Sequence, residues 1–202
     1  MQLTEAEIAS RLEKALNQSP IDPLLEFPSL ASFHQEEPKP AAVLIPLLVK
    51  EGTWHVLLTR RNADLPEHSG QVAYPGGRVD PEDPSLEATA LREAEEEIGL
   101  NPADVHILGR LKRYLTITNY LVTPVVGTIP WPYDFHIHEK EVSRVFTIPI
   151  DWLVDPTNFD EQLRTLPPPH PPVPVIYFHP YDGETLWGAS ARFTLCLIQS
   201  LK

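Results

Sequence analysis

Three glutamates in the middle of the chain are spaced so that a helix would bring them together on one side. They are Glu93, Glu96 and Glu97, within residues 92–100. At about 100° per helical residue, their side chains would fall within an arc of roughly 100°. The apolar residues that would project from the opposite side are Leu91, Ala94 and Ile98. This pattern predicts a helix that packs through one side and presents a carboxylate cluster on the other.

The ordinary interpretation of such a cluster is a solvated acidic helix face. Two physical arguments favour a cation site instead. Like charges at i,i+3 and i,i+4 weaken a helix, and acids near its C-terminal end oppose the helix dipole, so a cation is needed to offset them. Mg²⁺ and other hard divalent cations take oxygen ligands from carboxylates and from substrate phosphates. The cluster therefore predicts a metal site that serves a phosphorylated substrate.

A glycine turn and several arginines accompany the carboxylate cluster. Gly76 and Gly77 follow Pro75 and have no side chains to keep a backbone or a phosphate at a distance. Guanidinium groups bind phosphate bidentately, so arginines nearby are candidate phosphate ligands, with surface ion pairs as the alternative. The candidates are Arg60, Arg61, Arg78 and Arg113.

The helix that carries the cluster is predicted over residues 86–98. Asp83 is a suitable N-cap acid, and Pro84 suits the first helical position. Gly99 supplies the stop signal that glycine gives after a helix. The cluster therefore lies on the last turns of a well-delimited helix.

The other elements follow from apolar periodicity and turn residues. Strands are predicted at residues 41–49, 54–59, 105–113, 121–129, 145–150 and 175–179. Helical segments are predicted at residues 4–17, 151–154 and 189–201, and turns at 51–52 and 182–183. Thr4 and Glu7 have the spacing of a capping box at the first of these helices.

Composition limits the class of protein. With 202 residues, of which 42% are hydrophobic, the chain fits one ordinary domain with embellishments. A formal net charge of -12 argues against a partner that is nucleic acid or an anionic membrane, but a small anionic substrate remains compatible. No apolar run has membrane-spanning length, and residues 1–15 lack the pattern of a signal peptide, so we expect a cytoplasmic location. The single cysteine, Cys196, is expected to be a buried helix thiol.

Two proline-rich stretches mark the domain organisation. Residues 20–40 hold five prolines and are expected to form a loop or an extended arm. Residues 166–174 hold six, which predicts a stiff surface loop, or else a ligand for a proline-recognition module. We therefore predict an N-terminal helix and arm over residues 1–40 and a catalytic domain over 41–202, within a single domain overall.

Residues 77–100 resemble the Nudix box, which reads Gly, five residues, Glu, seven residues, then Arg-Glu-apolar-x-Glu-Glu-x-Gly-apolar. The second half matches at Arg92, Glu93, Ala94, Glu96, Glu97, Gly99 and Leu100. In the first half, Asp83 lies six residues after Gly77 and Pro84 lies eight before Arg92, so the loop is one residue longer and the first glutamate is absent. Asp83, Glu87 or no residue fills its role.

The longer loop resembles the branch of this family that cleaves coenzyme A. That branch has an upstream motif, Leu-Leu-Thr-x-Arg-(Ser or Ala)-x3-Arg-x3-Gly-x3-Phe-Pro-Gly-Gly. The matching residues are Leu57, Leu58, Thr59, Arg61, Gly70, Pro75, Gly76 and Gly77. The chain departs from the motif at Asn62, Pro66 and Tyr74, and Pro66 replaces the second arginine. Residues 123–127 and 187–192 also resemble the branch, so the likeness covers most of residues 41–192.

The resemblance implies a fold and a division of roles. The fold is an α/β/α sandwich around a mixed β-sheet. Glu96 and Glu97 would be metal ligands for Mg²⁺ or Mn²⁺, Gly77 would add its backbone carbonyl, and Glu93 would be a further ligand or the catalytic base. Arg92 would orient a neighbouring carboxylate. The candidate substrate contacts are Arg60, Arg61, Gly76 and Arg78.

The loop after the strand at 121–129 contains further polar residues. Family members often supply another acid here, so Glu139 and Glu141 are either site residues or ordinary loop charges. His136 and His138 are expected to be surface histidines, because a hard cation prefers oxygen ligands.

The leading functional interpretation is a coenzyme A diphosphatase that yields 3′,5′-ADP and 4′-phosphopantetheine. One alternative is hydrolysis of another nucleoside diphosphate derivative, such as ADP-ribose or NADH. A second is a non-catalytic nucleotide-sensing module, against which the intact Glu93, Glu96 and Glu97 argue. The expected partner is a small nucleotide, and the oligomeric state stays open, with a homodimer as one option.

Overall fold

A computed structural model describes residues 3–18, 37–65, 68–165 and 172–202. Pro66, residues 20–36 of the first proline-rich stretch and residues 166–171 of the second lie outside the described residues, and so do the predictions made for them. The helices are α1 (Glu5–Asn17), α2 (Leu86–Ile98), α3 (Ile150–Leu153) and α4 (Gly188–Ser200). The strands are β1 (Lys39–Lys50), β2 (Thr53–Arg61), β3 (Val72–Ala73), β4 (Gly76–Arg78), β5 (His106–Arg110), β6 (Tyr114–Leu115), β7 (Tyr120–Thr128), β8 (Val142–Pro149), β9 (Phe159–Arg164) and β10 (Val173–Phe178). Short 3₁₀ helices cover Pro102–Asp104 and Pro156–Asn158.

The main sheet is mixed and is built around β1. This strand pairs in parallel with β7 and antiparallel with β2 and β4. On the far side of β2 lie β3 and β8, and β5 and β6 pair antiparallel with β7. The near-continuous apolar run of β1 suits a strand that is covered on both faces. A separate two-stranded sheet is formed by β9 and β10.

Helices cover both faces of the main sheet. Leu44 and Leu48 of β1 pack with Ala94 and Ile98 of α2 in one cluster of buried residues. Alternate strand residues point the other way, into a second cluster to which α1 and α4 contribute; its members include Ile8, Leu12, Ile45, Leu47, Val56, Leu58, Phe193 and Leu197. The predicted α/β/α sandwich around a mixed sheet is therefore confirmed, because successive strand side chains supply the two cores alternately.

The helix boundaries are mostly those predicted, with one correction. α2 covers residues 86–98, and Gly99 ends it in the left-handed conformation (φ 67°). Its N-cap is Ser85, whose side chain accepts a hydrogen bond from the Ala88 N–H, and not Asp83 as expected from the sequence. Asp83 instead contacts Arg92, as described below. The capping box of Thr4 and Glu7 on α1 is confirmed.

The hairpin of β1 and β2 also forms as predicted. Glu51 (φ 53°) and Gly52 (φ 76°) make its turn, and both positive φ angles suit a two-residue hairpin loop. β2 runs beyond its predicted limits and continues to Arg61 beside β8 and β3, whereas the strand predicted at 105–113 ends at Arg110. Cys196 lies in α4 and is partly buried. No helix in the described part of the chain is long and apolar enough to cross a membrane.

Candidate active site

The carboxylate cluster on α2 is graded in exposure from one residue to the next. The side chain of Glu97 is 5% exposed, that of Glu93 is 17% exposed and that of Glu96 is 58% exposed. Ala90 and Ala94 are buried on the same helix, and their small side chains allow α2 to lie close to the sheet. Glu97 is therefore a core carboxylate at the border of the site, whereas Glu96 reaches solvent.

The glycine turn brings the backbone of β4 against these carboxylates. The Gly76 N–H donates a hydrogen bond to Glu97. A Cβ on Gly77 would lie 2.4 Å from Glu93 Oε1, and a Cβ on Gly76 would lie 2.4 Å from the Ala42 carbonyl oxygen. The two glycines thus make room for different neighbours, Gly77 for a site carboxylate and Gly76 for the adjacent strand.

Arg92 makes hydrogen bonds to three carboxylates at the site. Its Nε and Nη2 donate to the two carboxylate oxygens of Asp83, at 3.1 and 3.0 Å. Its Nη1 donates to Glu93 Oε1 at 2.9 Å and to Glu96 Oε2 at 3.1 Å. The hydrogen bond from Arg92 holds the pKa of Asp83 well below its usual range. Arg92 thereby fixes the positions of two site carboxylates.

Asp83 is the acid that the longer loop brings to the box arginine. Besides Arg92, it accepts hydrogen bonds from the Thr89 hydroxyl at 2.8 Å and from the Asp80 N–H at 3.0 Å. Glu87 is engaged elsewhere, in an ion pair with Arg110. Of the two acids that the sequence left open for the missing first glutamate, Asp83 makes the contact with Arg92.

The arginines of β2 point to different partners. The pairing of β2 with β8 shifts register between Arg60 and Arg61, the local irregularity typical of a β-bulge. Arg61 Nη1 lies 3.8 Å from Glu97 Oε1. Arg60 has the strand parity of Val56 and Leu58, which face the other core, and its Nη1 lies 3.5 Å from Glu184 Oε1. Only Arg61 reaches the carboxylate cluster.

The other candidate arginines lie at the edge of the site. The Arg78 carbonyl accepts a hydrogen bond from Arg92 Nη2 at 3.0 Å, and the Arg78 guanidinium lies over the Tyr120 ring, 5.2 Å from its centroid. Arg113 is exposed beyond the end of β5. Arg78 therefore borders the site through its backbone and can still offer its side chain to a ligand.

A loop ahead of β8 adds another acid. The His138 N–H donates to the Glu97 carbonyl at 2.9 Å, which places residues 136–141 over the C-terminal end of α2. Burial is the main cause of the raised pKa values of Glu93 and Glu97, and the negative charge of Glu141 adds to it, which places Glu141 near both carboxylates. Glu139 instead supplies its backbone carbonyl to Asn62 Nδ2 at 2.6 Å. Of the two loop acids, Glu141 is the one at the site.

Two residues that differ from the upstream motif, Asn62 and Tyr74, make polar contacts in the structure. The Asn62 side chain donates through Nδ2 to the Glu139 carbonyl at 2.6 Å, and so ties the Glu141 loop to β2. The Tyr74 hydroxyl lies 2.7 Å from Thr194 Oγ1, which itself donates to the Ser190 carbonyl, so Tyr74 is the donor. The polar atoms at these two positions anchor the loop of Glu141 and the glycine turn.

The electrostatics of the site follow from burial. Burial raises the pKa of Glu97 to about 8, and the repulsion from Glu93 and Glu141 adds to this, whereas Arg61 and the Gly76 N–H oppose it. Burial also raises the pKa of Glu93. Carboxyl groups with raised pKa values are suited to proton transfer near neutral pH.

The donor chemistry fits a hard divalent cation, although the carboxylates are turned towards arginines. In the described ranges, no group of three or more His, Cys, Asp or Glu side chains is arranged to hold a metal ion. Arg92 forms ion pairs with Glu93 and Glu96, and Arg61 forms one with Glu97. All the donors are oxygens, and a buried carboxylate with a raised pKa is stabilised by a nearby cation. The residues that could hold the metal are Glu93, Glu96, Glu97 and the Gly77 carbonyl.

Comparison with known proteins identifies the family. A family model described as the NUDIX domain matches residues 38–168. The chain belongs to the Nudix hydrolases. A relative from Pectobacterium atrosepticum, called uncharacterized Nudix hydrolase NudL, is 47% identical over 165 residues, which are 81% of this chain and 82% of the relative. A protein of the same name from Photorhabdus laumondii is 37% identical over 170 residues, which are 80% of this chain and 84% of that protein.

Solved structures agree in fold. The crystal structure of the Nudix hydrolase RenU from M. Smegmatis superposes with a TM-score of 0.50 at 22% identity, over 59% of this chain and 76% of that one. At this identity the likeness concerns the fold alone. The segment that resembles the Nudix box, residues 77–100, runs from the glycine turn through α2.

Proposed function

We propose that this Nudix hydrolase cleaves the diphosphate bond of coenzyme A or a coenzyme A derivative, with Mg²⁺ or Mn²⁺, to give 3′,5′-ADP and 4′-phosphopantetheine. The upstream motif that resembles the coenzyme A branch supports the substrate. The observation that carries the proposal is the 3.8 Å approach of Arg61, the motif arginine, to Glu97 of the Nudix box. Through this contact, the segment that resembles a substrate motif meets the carboxylates that suit a metal ion.

In the proposed reaction, the carboxylates of Glu96 and Glu97 and the Gly77 carbonyl would hold the divalent cation. A cation held there would supply positive charge to polarise the diphosphate and to make a water molecule a better nucleophile. Arg92 holds Glu93 and Glu96 in position through its hydrogen bonds to both. Glu93 takes the proton of the attacking water, a role for which its raised pKa and its place beside Gly77 are suited.

For the substrate contacts, we propose Arg61, Gly76 and Arg78. Gly76 presents backbone at the carboxylate cluster, and Arg78 adds a guanidinium at its edge. Arg61 would bind a phosphate of the substrate, because a guanidinium can donate two parallel hydrogen bonds to phosphate oxygens. Arg60 contacts Glu184 and is not included in this set.

The test of the substrate is a comparison of kcat/KM for coenzyme A, dephospho-coenzyme A, ADP-ribose and NADH with Mg²⁺ or Mn²⁺. We expect coenzyme A to be preferred over its dephospho form, because the loss of a charged pair leaves a group of the site without its partner. Arg61→Ala should reduce that preference. Chromatography of the products identifies the bond that is broken, and excess chelator should abolish turnover.

Hydrolysis of another nucleoside diphosphate derivative is the second candidate. It is favoured by one observation, the proline at position 66, where the upstream motif has an arginine. A clear lead for ADP-ribose or NADH would replace coenzyme A as substrate and leave the metal-dependent diphosphatase in place. Tight nucleotide binding with no cleavage of any substrate would point to the sensing module.

A further inference from the structure

The side chain of Arg61 is charged and mostly buried, and it is incompletely satisfied. It is 28% exposed, and its Nη1 lies 3.8 Å from Glu97 Oε1. This distance allows a charge interaction but exceeds that of a hydrogen bond. The buried Nε has no hydrogen-bond partner among the residues that the structure describes. The guanidinium therefore has donor capacity left for a ligand.

Arg61 also pairs with Glu97, a carboxylate that we propose as a ligand of the metal ion. Glu97 is 5% exposed, and Arg61 is the nearby cation that most offsets its unfavourable burial. Arg92 contacts Glu93 and Glu96, with its Nη1 within 3.1 Å of both. Arg61 and Arg92 thus neutralise the carboxylates, which are not arranged as a set of metal ligands.

We infer that Arg61 is the counter-ion of Glu97 in the metal-free enzyme and is released to the substrate diphosphate when a divalent cation binds Glu97. This inference rests on the proposed function and deepens it, because it couples metal binding to substrate binding through one side chain. Two cations beside one buried carboxylate repel each other, so a metal ion at Glu97 displaces the guanidinium. The displaced group can then bind phosphate bidentately, as guanidinium groups do.

The main chain at Arg61 is held by hydrogen bonds, whereas its guanidinium can move. The Arg61 N–H donates to the Gln71 carbonyl at 2.9 Å, and the following Asn62 N–H donates to the Glu141 carbonyl at 2.8 Å. Among the residues that the structure describes, the guanidinium makes a charge contact only with Glu97, and a long, flexible side chain can move without the strand. The exchange of partners therefore needs no change in the sheet.

The first test is Mg²⁺ binding without substrate, by isothermal titration calorimetry in mildly alkaline buffer, where the carboxylates are ionised. Arg61→Gln and Arg61→Met remove the competing cation, so both should bind Mg²⁺ at least about fivefold more tightly than the wild type. The control is Arg110→Gln, which removes an equal charge from the partner of Glu87, about 15 Å away along α2, and should leave Mg²⁺ affinity unchanged. Thermal unfolding checks that each variant is folded, and the two neutral substitutions give two chances of a folded protein.

The second test is the binding of methylene diphosphonate, a non-hydrolysable diphosphate, in saturating Mg²⁺. Arg61→Gln should weaken this binding by at least about fivefold, and Arg61→Lys should restore part of it, because a lysine keeps the charge but lacks the planar pair of donors. Unchanged or weaker Mg²⁺ affinity in both neutral variants would overturn the inference. If the wild type binds no Mg²⁺ without substrate, the inference is overturned, and turnover in excess chelator then decides separately whether the metal-dependent function stands. Normal Mg²⁺ binding without tightening in the variants removes only the role of Arg61.

Discussion

At the scale of single residues, the chemistry of the site depends on how differently its three box carboxylates are exposed. Glu96 is largely in solvent. Glu97 is a buried acid, and its partners are the Gly76 N–H and the Arg61 side chain, both distant in sequence. A buried charge is costly unless it is paired, so Glu97 binds a proton or a cation more readily than an exposed glutamate does. The environment of Glu97, rather than the number of acids, makes it the strongest candidate for a metal ligand.

Replacement of Glu97 by glutamine tests this assignment. Glu97→Gln keeps the size of the side chain but removes a charged ligand, so we expect kcat to fall by at least about a hundredfold while the fold persists. Glu95→Gln is the matched control, because Glu95 is exposed on the same helix and makes no side-chain contact with the cluster that we describe. Turnover is measured with saturating Mg²⁺, and circular dichroism reports folding. Near-normal turnover in Glu97→Gln would remove Glu97 from the ligand set.

The raised pKa of Glu97 also predicts how stability depends on pH in metal-free protein. The ordinary pKa of a glutamate is 4.5 and burial raises that of Glu97 to about 8, so between these values the folded state keeps a proton that the unfolded state has lost. The contribution of Glu97 to the free energy of unfolding therefore falls as pH rises through this window, by up to about 1.4 kcal/mol per pH unit, and levels off above it. Denaturant unfolding in chelator measures it as the difference between the wild type and Glu97→Gln. A difference that stays constant with pH would show that Glu97 titrates normally.

At the scale of elements, the short strand β4 connects the fold to the chemistry. Its two glycines are adjacent in sequence, but Gly76 faces a strand backbone and Gly77 faces a carboxylate. Gly76 has φ 157° and lies against β1, whereas Gly77 lies against Glu93. Adjacent positions can therefore have separate structural duties, Gly76 in leaving room for the strand backbone and Gly77 in leaving room for a site carboxylate.

Alanine at each glycine should separate these duties. Gly76→Ala places a Cβ 2.4 Å from the Ala42 carbonyl oxygen in an unfavourable conformation, so we expect it to lower the free energy of unfolding by at least about 2 kcal/mol. Gly77→Ala places a Cβ 2.4 Å from Glu93 Oε1, and the flexible carboxylate can move away. It should cost less than about 1 kcal/mol but lower kcat by at least about tenfold, because a displaced catalytic group loses its alignment. Denaturant unfolding and turnover are measured on both, and equal losses of stability would contradict the separation.

At the scale of the whole molecule, the N-terminal helix belongs to the same core as the sheet. Ile8 and Leu12 are buried in the cluster to which β1, β2 and α4 contribute. The Trp54 indole N–H donates to the Leu3 carbonyl at 2.8 Å, and Arg11 donates to the Leu201 carbonyl. Side chains from both sides of the predicted boundary at residue 40 therefore pack in one core. The division of the chain at that residue stays a prediction.

Substitutions on α1 measure this dependence. Leu12→Ala leaves a cavity in the core and should cost about 2–5 kcal/mol. Leu16 lies on the same helix and is 42% exposed, so Leu16→Ala should cost no more than about 0.5 kcal/mol. Urea unfolding of both variants gives the two values. Similar small losses would mean that α1 is an appendage with little influence on the stability of the domain.

The sequence alone determined the features that are encoded within a few neighbouring residues. The limits of α2, its end at Gly99, the hairpin turn at residues 51–52 and the capping box of α1 all follow from local periodicity and local backbone preferences. The Nudix box is likewise a contiguous motif, and it predicted the sandwich fold through resemblance. Features of this kind need no knowledge of the rest of the chain, because neighbouring residues set them.

Only the tertiary structure decided which distant groups meet at the site. It paired Asp83 rather than Glu87 with Arg92, brought Glu141 rather than Glu139 to the carboxylates, and sent Arg61 to Glu97. The structure also shows that the N-cap of α2 is Ser85, whereas the sequence predicted Asp83. The physical reason is that sheet register, the register shift between β2 and β8 and the paths of two loops fix these distances. Each of these depends on the packing of the whole core, which no short stretch of sequence contains.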